Sequence, residues 1–197
     1  MNKRYKQKEI RLLLHQNKTS IAGLIETRVK EIKSNAILKA ITPGWKIIHN
    51  YKDDANGRIW IVKDDSWYDI KLLKSTAQMV HCQVNERSKG YQFNVTVVYG
   101  YNTTEMRRSL WNELKMLTHS VSKPWIIIGD FNAVLSPKDR LDGVPVTLNE
   151  IKDFEESIKD MGIIELHWKG NYYTWTNKQV GAARIASRID RAFGNDC

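Results

Sequence analysis

Asp130 and Asn132 close the stretch Pro124-Trp125-Ile126-Ile127-Ile128-Gly129-Asp130-Phe131-Asn132, where an apolar run of strand length meets a glycine, a carboxylate and an amide. Side chains two apart on an extended backbone point the same way. The pair can therefore face one ligand while Phe131 packs behind it, and Gly129 lets the main chain approach closely. A carboxylate that orients or deprotonates water, beside a neutral amide that can hold a phosphate oxygen, suits phosphodiester hydrolysis. Gly-Asp-x-Asn also reads as an ordinary turn start, since these residues are common in turns.

The same design recurs along the chain. Ser20-Ile21-Ala22-Gly23-Leu24-Ile25 is an apolar strand-length run that ends in Glu26. Tyr91 to Tyr99 ends in Tyr99-Gly100-Tyr101-Asn102, a phenol and an amide three residues apart. A strand near 185 to 190 ends at Asp190. Each of these residues alone reads as a solvated carboxylate, a rim aromatic or an ion-pair partner. Their recurrence at successive strand ends is the more specific signal.

The elements that must position them follow from periodicity. Ile10, Leu13 and Leu14 predict a helix over 4–17, and Val29, Ile32, Ala36, Ile37 and Ala40 a second that stops at Pro43-Gly44. Strands at 45–49 and 58–62 flank a hairpin loop, and strands at 67–73, 79–84 and 91–99 continue the pattern. Leu110, Trp111, Leu114 and Leu117 mark a helix after Thr104. Residues 136–146 read as a loop. Thr147-Leu148-Asn149-Glu150 is a capping box for a helix that Gly162 ends. Short strands near 163–166, 172–176 and 185–190 close the chain, which reads as one domain over 1–197.

The 197 residues are 42% hydrophobic and 27% charged, which excludes a disordered chain. Two cysteines, Cys82 and Cys197, can build neither a disulfide framework nor a zinc site, so a reducing compartment is expected. Neither a signal core nor a membrane-spanning run is present, so a soluble intracellular protein of cytoplasm or nucleus is expected. The balance of 31 Lys+Arg against 22 Asp+Glu gives +9, a field that attracts polyanions such as DNA. Lys178, Arg184, Arg188 and Arg191 around the last loop and strand are the expected phosphate contacts. A generally basic surface is the alternative.

Taken together, Leu24-Ile25-Glu26-Thr27, Val98-Tyr99-Gly100-Tyr101-Asn102, Ile128-Gly129-Asp130-Phe131-Asn132, Tyr173-Thr174-Trp175 and Ser187-Arg188-Ile189-Asp190-Arg191 resemble the endonuclease/exonuclease/phosphatase (DNase I-like) superfamily. The look is closest to the endonuclease domains of plant LINE-type, non-LTR retrotransposons. The resemblance implies an α/β (α+β) four-layer sandwich of two packed, mostly antiparallel sheets with helices outside, acting as a monomer on DNA. It implies Glu26 as a ligand for Mg²⁺ or Mn²⁺, Asp130 as the aspartate that orients or deprotonates water, and Asn132 and Asn102 as amides that hold the phosphate. Tyr99 matches the phenol near the leaving or non-bridging oxygen. Asp190 matches an aspartate that orients a histidine.

The sequence departs from that pattern at both ends. The family's first strand carries a Trp-Asn pair and its last a Ser-Asp-His motif; neither is found here, and no histidine follows Asp190. Asn2 takes no assigned role. His15, His49, His81, His119 and His167 fall where the family keeps none of its chemistry, so local structural roles are expected. The resemblance thus implies an incomplete domain with unpaired sheet edges, weak metal binding and impaired phosphodiester hydrolysis. The other expectation is a non-catalytic, basic nucleic-acid-binding or interaction module.

Overall fold

The computed structural model describes residues 1–196; Cys197 lies outside the described residues. The chain divides into two compact units, Met1–Tyr99 and Gly100 onward.

The first unit runs α1 (Arg4–Gln16), β1 (Ile21–Ile25), α2 (Glu31–Ile41), β2 (Lys46–His49), β3 (Ile59–Lys63), β4 (Tyr68–Ser75), β5 (Met79–Glu86) and β6 (Gln92–Tyr99). β3 pairs antiparallel with β1 on one side and β2 on the other, and β4, β5 and β6 form a second antiparallel set. Ile59-Trp60-Ile61-Val62-Lys63 is buried throughout, and its alternation joins the layers. Trp60 and Val62 meet Leu14, Ile37, Leu38 and Ile41 of the helices, while Ile59 and Ile61 meet Val80, Cys82, Val84 and Val97 of the second set. Gly23 is needed here because a Cβ on it would lie 2.8 Å from Val97. The layering is helix, sheet, sheet.

The second unit runs α3 (Thr104–Thr118), β7 (Trp125–Asp130), β8 (Arg140–Leu141), α4 (Leu148–Met161), β9 (Ile164–Glu165), β10 (Trp175–Thr176), β11 (Ala186–Ser187) and β12 (Asp190–Gly194). β12 pairs antiparallel with β7 and β9, and β11 with β10 and β8. Trp111, Phe131, Phe154 and Phe193 form one aromatic core, with Trp111 and Phe154 stacked at 4.7 Å and Phe131 edge-on to Phe193 at 5.3 Å. Phe131 therefore packs away from Asp130 and Asn132, as the alternation predicts. The Thr147–Glu150 capping box starts α4, and left-handed Gly162 ends it.

The fold class is the mixed α/β one expected, with antiparallel sheets and helices on their outer faces. Two expectations change. Residues 136–146 are not a plain loop: a 3₁₀ turn over Pro137–Asp139 and the short strand β8 lie within them. The last long strand is 190–194, so Asp190 opens a strand rather than closing one. Burial of β7 also alternates, with Ile126 36% and Ile128 44% exposed, although the apolar run reads as buried on both faces. Among the described residues no helix is long and apolar enough to cross a membrane.

Candidate active site

In the first unit, Glu26 follows β1 directly and takes a left-handed backbone (φ +50°), as does Arg28 (φ +48°). Between them Thr27 is fully buried and donates its hydroxyl to the Gly57 carbonyl at 2.5 Å. The anchored threonine leaves Glu26 and Arg28 facing outward, side chains 51% and 72% exposed and 3.5 Å apart. Tyr99, the last residue of β6, is buried and donates its phenol to Glu26 Oε1 at 2.7 Å. The Arg58 guanidinium lies over the Tyr99 ring, 5.6 Å from its centroid. Asn2 donates its side-chain amide to the Arg28 carbonyl at 2.7 Å.

In the second unit, Asp130 ends β7. Gly129 before it has φ +147°, a conformation that favours glycine. Asp130 Oδ1 accepts the Asn132 backbone N–H at 2.8 Å, and Asn132 itself is left-handed (φ +47°), a region asparagine tolerates. The Asn132 amide donates to the Gly100 carbonyl at 2.8 Å, while Gly100 N–H donates to the Asp130 carbonyl at 2.8 Å. A side-chain amide carries two N–H groups, so Asn132 can brace this turn and still donate outward. Asn102, two residues on, is exposed. Asp190 stands directly opposite Asp130 in the β7–β12 register. Facing positions on neighbouring strands share one side of the sheet, and like charges there repel.

Sequence reading missed the supports. Thr174 Oγ1 accepts from the backbone N–H of both Ile189 and Asp190, at 3.2 and 3.1 Å, which fixes the start of β12. Asp139 is buried and accepts from Leu135 N–H, Ser136 N–H, Tyr172 OH and the Arg191 guanidinium. Arg188 and Arg191, expected at phosphates, are both buried. Arg188 meets Glu165 at 2.5 Å and lies against the Trp168 and Tyr172 rings; Arg191 pairs with Asp139 and with Glu165 at 2.8 Å. Their guanidiniums hold the unit together rather than waiting for a ligand, whereas Lys178 and Arg184 are exposed. Only the Asp-Arg spacing at 139 and 191 could have signalled this, and it is too long to read. His81, bonded to Thr96 Oγ1 at 2.8 Å, is pushed down to about 4 by burial, and burial pushes the Cys82 thiol up to about 12. Neither is placed for chemistry.

A profile of the endonuclease/exonuclease/phosphatase family matches residues 3–196. The chain belongs to that family. Its fold is similar to the endonuclease domain of TRAS1, a telomere-specific non-LTR retrotransposon, at TM-score 0.73 and 15% identity over 96% of this chain and 79% of that one. It is likewise similar to the 3′ phosphatase NExo from Neisseria bound to a product DNA hairpin, at TM-score 0.71 and 16% identity over 98% and 82%. The AP endonuclease LMAP from Leishmania major matches at TM-score 0.69 and 12% identity over 95% and 73%. No curated protein sequence matches the chain. Family and fold together indicate nuclease- or phosphatase-type hydrolysis.

The family implies a divalent metal. Among the described residues no three His, Cys, Asp or Glu gather as a metal cage. Mg²⁺ needs none, because it keeps several waters and binds through one or two carboxylates and a substrate phosphate. Glu26, outward-facing and steadied by Tyr99, fits such a hydrated ion.

Proposed function

We propose that the chain carries the site of a Mg²⁺-dependent DNA phosphodiesterase, an endonuclease of the retrotransposon type. The observation that carries this reading is the Asp130–Asn132–Gly100 turn. There the Asp130 carboxylate accepts the Asn132 backbone N–H and the Asn132 amide donates to the Gly100 carbonyl, each at 2.8 Å, at the end of β7. Asp130 orients the attacking water and accepts its proton. Asn132 and Asn102 donate amide N–H groups to the phosphate oxygens, fixing the phosphorus in line with the water. Asp190 stands beside Asp130 to position a general acid or an oxyanion-stabilising group. Glu26 holds the divalent ion, with Tyr99 setting the carboxylate's direction, and when bound the ion supplies positive charge to the phosphate.

No histidine follows Asp190 in these 197 residues, and loss of one acid/base or oxyanion-type group commonly costs on the order of 10² to 10⁴ in rate. These residues tested alone are therefore expected to nick DNA slowly. The test is conversion of supercoiled plasmid to open circles in Mg²⁺, with residues 1–197 alone and with a related element's Trp-Asn and Ser-Asp-His strands added. Slow nicking that the added strands accelerate, and that Asp130→Ala removes in both forms, supports the reading. DNA binding with no nicking in either form favours a non-catalytic binding module, to which the +9 charge alone would point.

A further inference from the structure

Arg107 sits in the first turn of α3, where the helix dipole disfavours a cation, and it is only 5% exposed. Its direct hydrogen bonds go to neutral groups: Nη1 donates to the Tyr101 carbonyl at 2.8 Å and Nη2 to Thr104 Oγ1 at 3.3 Å. Nε is buried with no hydrogen-bond partner among the described residues. A buried cation so placed is a poor device for stability alone, because burying a charge is costly unless an anion answers it. Burial pushes the guanidinium's pKa down, and the negative charge that most opposes this is Asp130, ahead of Glu105, Glu150 and Asp153.

The same side chain underlies the turn that carries the amides. Gly100 is pinned from one side by Asp130 and Asn132. A Cβ on Gly100 would lie 2.5 Å from the Phe131 carbonyl and 3.4 Å from Arg107 Cδ. Gly100 is thus wedged between the Phe131 main chain and the Arg107 stem, and the next carbonyl, Tyr101, is held by the Arg107 head. Asn102 comes immediately after.

We propose that Arg107 is the positioning residue of this half of the site: its fork fixes the Gly100–Asn102 turn so that Asn102 and Asn132 face one phosphate. This rests on the phosphodiesterase reading. Two variants test the fork. Arg107→Lys keeps the charge and loses the fork; Arg107→Met keeps most of the packing and loses both.

The experiment measures thermal unfolding, KM and kcat for Mg²⁺-dependent nicking of a labelled duplex, and hydrogen exchange at the Gly100 amide. Arg107→Lys is expected to raise KM roughly tenfold, and Arg107→Met to raise it at least as much. A folded Arg107→Met chain with the parent's KM would overturn the proposal. If Arg107→Met fails to fold, an unchanged KM in Arg107→Lys does so instead. If nicking in Mg²⁺ is absent both with and without the added strands, the phosphodiesterase reading falls separately. Exchange at Gly100 then decides the positioning role: about tenfold faster in Arg107→Lys sustains it, and unchanged overturns it.

Discussion

Glu26 and Arg28 each hold a left-handed backbone, which costs an ordinary side chain about 1–2 kcal/mol, and strain of this kind collects at working sites. The buried Thr27 hydroxyl bond keeps the pair in place. If Tyr99 serves to aim Glu26, Tyr99→Phe should weaken Mn²⁺ binding severalfold, followed by the ion's paramagnetic relaxation of water, while unfolding changes little; unaltered affinity would deny Tyr99 that part. His81 makes a different prediction. Its folded pKa of about 4 lies below the usual value of 6.5, so the unfolded chain takes up a proton first as pH falls. The stability due to neutral His81 is full above pH 6.5 and declines by about 3 kcal/mol on the way down to pH 4. Urea unfolding of the parent and His81→Asn at pH 7 and pH 4.5 should show a shallower decline in the variant, and equal declines would contradict the assignment. Asp130 and Asn132 were legible because one strand end carries both. Arg107 was not, because its burial depends on a turn that only the folded chain closes.

The elements differ in how plainly the sequence announced them. α4 was readable from its capping box and terminal glycine, and β3 from an unbroken apolar run. β8, β10 and β11 are two residues long, too short for any periodicity, and side chains set them instead. Asn177 Oδ1 accepts from Ile185 N–H at 3.0 Å and Thr174 Oγ1 from Asp190 N–H at 3.1 Å. Such side-chain bonds to distant backbone leave no local pattern to read. The 133–141 segment is held by Asp139, a carboxylate 2% exposed and paired with Arg191. Removing one partner of a buried pair strands the other, at a cost of about 3–5 kcal/mol. Asp139→Ala should lower unfolding stability by that order in urea titration, and a loss under about 1 kcal/mol would show that the pair is not what holds the segment.

Across the whole molecule the excess of basic residues, +9, predicts that the proposed DNA binding is steeply salt-dependent, because each phosphate neutralised releases condensed counterions. With Arg188 and Arg191 committed internally, Lys178 and Arg184 are the members of the last basic group left to meet phosphate. Lys178→Gln with Arg184→Gln should reduce the slope of log K against log salt by about one to two, read by anisotropy of a labelled duplex; an unchanged slope would place the contacts elsewhere. In the proposed function Glu26 and Asp130 serve one hydrolytic reaction. Groups acting as a unit give strongly non-additive losses. The most direct measurement is a double-mutant cycle of Glu26→Gln and Asp130→Asn on Mg²⁺-dependent plasmid nicking, in the chain carrying the added terminal strands. Each single variant is predicted to lose on the order of 10² to 10⁴ in rate, and the double variant little more than the worse single one. Variants that nick as fast as the parent would contradict the account.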